Sequence, residues 1–172
     1  RPLVDRHPET WTLSARWIFP VSQPPLADGF ITIRGERIAS VEPRQSRSVD
    51  FDLGNAAIIP GLANAHTHLD LSGARGQIPP TDAEHFPDWL RQVIAFRRSR
   101  SAEALEADIA VGMKEALAAG TTLLGDITVA GASYSACRSA ALRSVLFWEV
   151  IGLSPERFAQ GRNSYETMTK EV

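Results

Sequence analysis

From residue 57 onward, short apolar runs alternate with stretches of helical spacing, and that alternation restricts the fold more than any other feature. Ala57-Ile58-Ile59 is a continuous apolar run, the pattern of a strand buried on both faces. Pro87 in a first helical turn, followed by Trp89, Leu90, Val93, Ile94 and Arg97, gives helical spacing. Ser101 suits the N-cap of a second helix, with Leu105, Ile109, Gly112, Met113, Ala116 and Leu117 along one stripe and Gly120 as its C′ stop. Thr121 to Ile127 reads as the next buried strand, Ser133 to Ala141 as a short helix and Val145 to Ile151 as a third strand. Ser154-Pro155-Glu156 opens a last helix carrying Phe158, Tyr165 and Met168. Strands alternating with helices imply a parallel sheet with right-handed crossovers, an α/β module.

Residues 11 to 59 follow a different rule. Trp11, Leu13, Ala15, Trp17 and Phe19 alternate with Thr12, Ser14 and Arg16, the period of a half-buried strand. Phe30 to Arg34 and Arg37 to Val41 flank Gly35-Glu36 as a tight hairpin, and Val49, Phe51 and Leu53 alternate again before the Gly54-Asn55 turn. Four short strands make a small sheet or half a sandwich. The expected organisation is a β module over 1–57 and an α/β module over 58–172.

Composition narrows the partners. Eighteen Lys and Arg against twenty Asp and Glu give a net charge of −2, which supplies no electrostatic reason to bind nucleic acid. The most apolar stretch, Val145 to Leu153, is interrupted by Glu149 and falls far short of the roughly 20 residues a membrane span needs. A single cysteine, Cys137, excludes an intrachain disulfide and any Cys-rich zinc module, and it reads as a small packed residue. The N-terminal residues Arg1, Asp5, Arg6, His7 and Glu9 are too charged for a signal peptide's apolar core, and a cytoplasmic location is expected.

Chemistry concentrates in Pro60-Gly-Leu-Ala-Asn-Ala-His66-Thr-His68. On a strand, residues i and i+2 share a face, so His66 and His68 can converge on one divalent ion. A bare His-x-His is otherwise an ordinary polar loop; its position after an apolar strand favours the metal. A cupin would need a Glu and then a Gly downstream, where this chain runs Leu69-Asp70-Leu71-Ser72-Gly73. The metallo-β-lactamase pattern HxHxDH accommodates Asp70 but finds Leu71 in place of its last histidine.

The stretch from Ile59 to Leu69 strongly resembles the metal-dependent amidohydrolase superfamily, at the end of barrel strand 1. Gly35-Glu-Arg-Ile-Ala-Ser-Val41 is similar to that family's N-terminal hairpin, and Ala119-Gly-Thr-Thr122 to the start of barrel strand 2. His68-Leu-Asp-Leu-Ser72, Phe86-Pro-Asp-Trp-Leu90 and Phe147-Trp-Glu-Val-Ile-Gly152 look most like the chlorohydrolase and aminodeoxyfutalosine-deaminase-like branch. The resemblance implies a (β/α)8 TIM barrel flanked by a β-sandwich built from both chain ends. It implies His66 and His68 as metal ligands, with zinc as the expected ion and iron or manganese as alternatives. It also implies hydrolytic deamination of a purine-like or related N-heterocycle, with dechlorination and amide hydrolysis as alternatives from the same machinery.

Such a barrel takes about 250 residues, whereas 112 follow Pro60. Three strands, near 58–65, 121–127 and 145–151, are expected, and the barrel is incomplete in this chain. The resemblance places the third histidine, the metal-binding aspartate and the catalytic residues downstream of Val172, and neither His7 nor His85 fits those roles. The competing reading is a truncated, non-catalytic fragment; either way, residues 1–172 alone are expected to be inactive. Asp70, at the barrel mouth, and Glu149, a charge inside an apolar strand, are expected to meet substrate, with Trp89 walling the pocket or simply packing in the core. Asp126 reads as a capping or pairing carboxylate, and Arg97-Arg98-Ser99-Arg100 as a solvated helix end. The expected partner is a small-molecule substrate, and a homodimer of the full-length protein is compatible with this reading.

Overall fold

A computed structural model of the protein describes residues 10–43, 48–150 and 154–170. His7 and residues 151–153 lie outside the described residues. The chain divides into two compact units after Pro60.

The first unit is a sheet of five strands: β1 (Thr10–Ile18), β2 (Leu26–Arg34), β3 (Arg37–Pro43), β4 (Phe51–Asp52) and β5 (Ala57–Ile58). β1 is central, antiparallel to β2 on one side and parallel to the short β4 and β5 on the other. β2 and β3 form the expected hairpin, turning at Gly35, whose φ of +56° is the left-handed geometry that glycine adopts without a steric penalty. Two expectations are corrected here. Ala57-Ile58-Ile59 does not open the parallel sheet: Ala57 and Ile58 pair with Trp17 and Ile18, and Ile59 is 57% exposed. Pro60 explains the break, because it has no N–H to donate to a ladder. Burial along β1 does not follow the alternation either. Trp17 and Phe19 are 40% and 38% exposed, whereas Ser14, Ala15 and Ile18 are buried, Ile18 lying beneath Gly29 of β2.

The second unit is α/β. Strand β6 (Leu62–Thr67) leads into a 3-10 helix (Leu69–Ala74), then α1 (Phe86–Ser99) and α2 (Ala102–Ala118). Strand β7 (Thr121–Val129), helix α3 (Tyr134–Ser139), strand β8 (Arg143–Glu149) and helix α4 (Pro155–Lys170) follow. The three strands are parallel in the order β6-β7-β8, as the alternation of periods requires. The core is built from Leu69, Ile109, Met113, Leu124, Cys137 and Leu142, so α2 and α3 cover one face of the sheet and the 3-10 helix packs against α2. Among the described residues, no helix is long and apolar enough to cross a membrane.

Helix ends follow the sequence signals. Ser101 caps α2, its hydroxyl accepting from the Ala104 N–H, and Gly120 at φ +81° turns the chain into β7. Replacing Ser101 with alanine orphans that N–H, and a loss of about 1 kcal/mol in unfolding free energy is expected by urea titration.

Candidate functional site

The end of β6 is shaped by an irregularity in its pairing with β7. Asn64 pairs with Leu124 and Thr67 with Asp126, so β6 carries one extra residue between these points, a bulge at Ala65-His66. Gly125 permits it: a Cβ there would lie 2.5 Å from the Ala65 carbonyl oxygen. The Asn64 side-chain oxygen accepts from the His66 N–H at 3.2 Å and steadies the bulged backbone. Bulges re-aim side chains, and here His66 and His68 end with ring centres 5.5 Å apart and planes inclined by 59°. Two imidazoles sharing a tetrahedral ion at about 2.0–2.1 Å hold their ring centres roughly 5 Å apart. The ring-centre separation of the pair is therefore close to the one two such ligands would have. Among the described residues no group of three or more His, Cys, Asp or Glu side chains could hold a metal ion.

Behind the histidines lies a charged cluster. Asp70, in the 3-10 helix, is 4% exposed. Arg97, in the last turn of α1, forms an ion pair with Asp70, Nε lying 2.6 Å from Oδ2, and its Nη2 donates to Oδ1 at 3.3 Å. The same Nη2 lies 3.4 Å from His68 Nδ1, and Nη1 lies 3.5 Å from Glu149 Oε2 at the end of β8. Arg97 is the residue that the sequence did not single out. The Arg97–Arg100 segment is not a solvated helix end: only 19% of the Arg97 side chain is exposed, and Arg100 pairs with Asp108 at 2.8 Å while lying over the Phe96 ring. Within that segment Arg98 and Ser99 are the exposed residues.

The other candidates fall elsewhere. Asp126, 1% exposed, accepts from the Leu69 N–H at 2.9 Å and from the Ser133 hydroxyl, so it ties the turn after β6 to β7 and to the start of α3. Trp89 is half-buried and stacked on Phe86 at 5.6 Å. It stands eight residues before Arg97 on α1, roughly 12 Å along the helix axis. Cys137 is buried, and desolvation pushes its thiol up, so it stays protonated and packs in the core rather than acting as a nucleophile. His85 is exposed and bound to Asp82 at 2.7 Å. Beside Glu149 a cavity of about 670 Å3 opens, lined among others by Arg97, Val129, Trp148, Val150 and Arg157.

This chain is similar to known proteins along most of its length. A family model described as "Amidohydrolase family" matches residues 57–172. The 5-methylthioadenosine/S-adenosylhomocysteine deaminase of Nitratidesulfovibrio vulgaris strain Miyazaki F is 32% identical over 126 residues, 67% of this chain and 28% of that protein. The aminodeoxyfutalosine deaminase of Nitratiruptor sp. is 34% identical over 98 residues, 57% of this chain and 24% of that protein. Among solved structures, guanine deaminase from C. acetobutylicum with bound guanine shares the fold at a TM-score of 0.73 and 14% identity, over 95% of this chain and 43% of that one. Atrazine chlorohydrolase from Arthrobacter aurescens TC1, complexed with zinc, gives a TM-score of 0.64 at 20% identity, over 85% of this chain and 37% of that one. The chain thus spans about a quarter of the length of each curated relative named here.

Proposed function

The chain belongs to the amidohydrolase family, and on that premise we propose that it forms the metal-binding start of a hydrolase acting on carbon–nitrogen bonds. The reaction we infer is hydrolytic deamination of a purine-like or related N-heterocycle. The observation that carries this reading is the His66–His68 pair, its rings 5.5 Å apart at the C-terminal end of the first of three parallel strands. That end of a barrel strand is where such folds place their chemistry. The named relatives that act as deaminases support the reaction type.

In the intact protein, β6, β7 and β8 are read as the first three strands of a (β/α)8 barrel, and the sheet of β1–β5 as part of a flanking β-sandwich. His66 and His68 would hold a divalent ion, with zinc expected. Such an ion would lower the pKa of water enough to supply hydroxide, the nucleophile for an electron-poor carbon, near neutral pH. Glu149, with Oε2 turned toward Arg97 beside the cavity, is assigned to accept from a substrate N–H and so orient the ring. Asp70, both of whose oxygens face Arg97, acts through that guanidinium. Trp89 is left to the far wall of a long substrate. Residues 1–172 alone are not expected to turn over, because catalytic zinc usually takes three protein ligands and this pair supplies two.

Ammonia release is the direct test. The intact protein, stripped with a chelator and reloaded with Zn2+, is expected to release ammonia from an aminated purine nucleoside or free base only after reloading. A metal-restored protein that releases none from a panel of amino-purines, amino-pyrimidines and amino-triazines would overturn the deaminase reading.

A further inference from the structure

Two cavities follow one another along α4. The first, of about 670 Å3, is the one beside Glu149. The second, of about 300 Å3, is lined by Tyr134, Leu146, Trp148, Tyr165, Met168 and Thr169. One face of α4 runs past both, from Arg157 through Gly161 and Ser164 in the first to Tyr165 and Met168 in the second. Among the described residues, Trp148 alone belongs to both linings. The two spaces differ in chemistry: Glu149, Arg97 and Arg157 make the first polar, whereas the second is chiefly aromatic and aliphatic.

Contacts from two elements hold the indole in place. Successive residues of a strand face opposite sides, so Trp148 leaves β8 away from Glu149. Tyr165 of α4 meets its ring edge to face, with centres 5.7 Å apart and planes inclined by 71°. Gly131, at φ +71° in the turn after β7, lies so near that a Cβ there would sit 2.5 Å from Trp148 Cζ3. We propose that Trp148 sets the length of substrate that the site accepts: its indole is the partition between the polar cavity beside Glu149 and the apolar chamber beyond. The inference rests on the reading of the first cavity as the substrate's and goes beyond it, giving the site a specificity-determining residue. Two effects compete when the indole is shortened. An apolar group on the substrate gains a chamber in which to bury itself, which favours the longer substrate. Lost packing loosens the fold, which penalises every substrate alike. A ratio between two substrates cancels the second effect and leaves the first.

The test compares the Zn2+-loaded intact protein with its Trp148→Leu and Trp148→Phe variants on two pairs of probes, the 9-methyl and 9-(3-phenylpropyl) derivatives of adenine and of guanine. By kcat/KM for ammonia release, the wild type is expected to favour the methyl member of the pair it deaminates by about 10-fold or more. Trp148→Leu is expected to move that ratio toward the phenylpropyl member by about 10-fold or more, as a change of apolar pocket size does. Trp148→Phe keeps a ring against Tyr165, so it carries the test where the leucine variant fails to fold, and a smaller shift in the same direction is expected of it. An unchanged ratio in the folded variants, whether or not both rates fall, would overturn the partition and leave the deaminase reading standing. Ammonia release from none of these probes by the wild type would overturn the purine reading, and this proposal with it.

Discussion

Replacing His66 with alanine is expected to strip the intact protein of most of its metal and to reduce ammonia release to background. The bulged strand end holds this imidazole with its ring centre 5.5 Å from that of His68, and among the described residues no group of three or more His, Cys, Asp or Glu side chains could hold a metal in its place. Outer-shell partners of a metal site are worth about 10- to 100-fold in affinity, so a ligand itself should cost more than about 100-fold. The substitution is mild for the fold, since His66 is exposed at a strand end, and an unchanged thermal midpoint is expected alongside the loss of metal. His85→Ala is the control. That ring is also exposed, but it is bound to Asp82 at the start of α1, and it should leave metal content untouched. Elemental analysis of the two purified variants decides the matter: equal metal in His66→Ala and wild type would remove His66 from the site.

The two histidines were legible in the sequence because strand geometry is local. A period of two after a Pro-Gly break suffices to put both side chains at one strand end. The order of parallel strands was legible for a similar reason, since each helical stripe between apolar runs forces a crossover. Arg97 was not. An Arg-Arg-Ser-Arg run at a helix end has the composition of a solvated surface, and only the fold brings Asp70 and Glu149 to Arg97. The strand boundary at Ile58 misled for a physical reason as well. An apolar triplet states that burial is wanted and not which sheet provides it, and Ala57 and Ile58 found their partners in β1. The aromatic residues of β1 show the same limit. Alternation distinguishes two faces but does not say which positions along each are covered: Ala15 is buried, while Trp17 and Phe19 on the same face are exposed.

Asp126→Ala is expected to lower unfolding free energy by about 3–5 kcal/mol, the largest stability effect of any single change considered for this fold. The carboxylate is 1% exposed and holds two donors that are themselves sealed from water, the Leu69 N–H and the Ser133 hydroxyl. Alanine leaves both without an acceptor. Each buried orphan costs about 1–3 kcal/mol, and the cavity where the carboxylate stood adds to the loss. Asp126→Asn keeps one oxygen acceptor and most of the volume, so a smaller loss of about 1–2 kcal/mol is expected, reflecting the weaker neutral hydrogen bonds. Urea titration with an unchanged slope would report these as true stability differences. The consequence for function follows from adjacency. Leu69 is the residue after His68, and Asp126 is the group that fixes its N–H, so both variants should lose Zn2+ affinity in the same order in which they lose stability. An alanine variant within about 1 kcal/mol of wild type, with its metal affinity intact, would show that the turn after β6 is held by other contacts and that the ligand does not depend on this anchor.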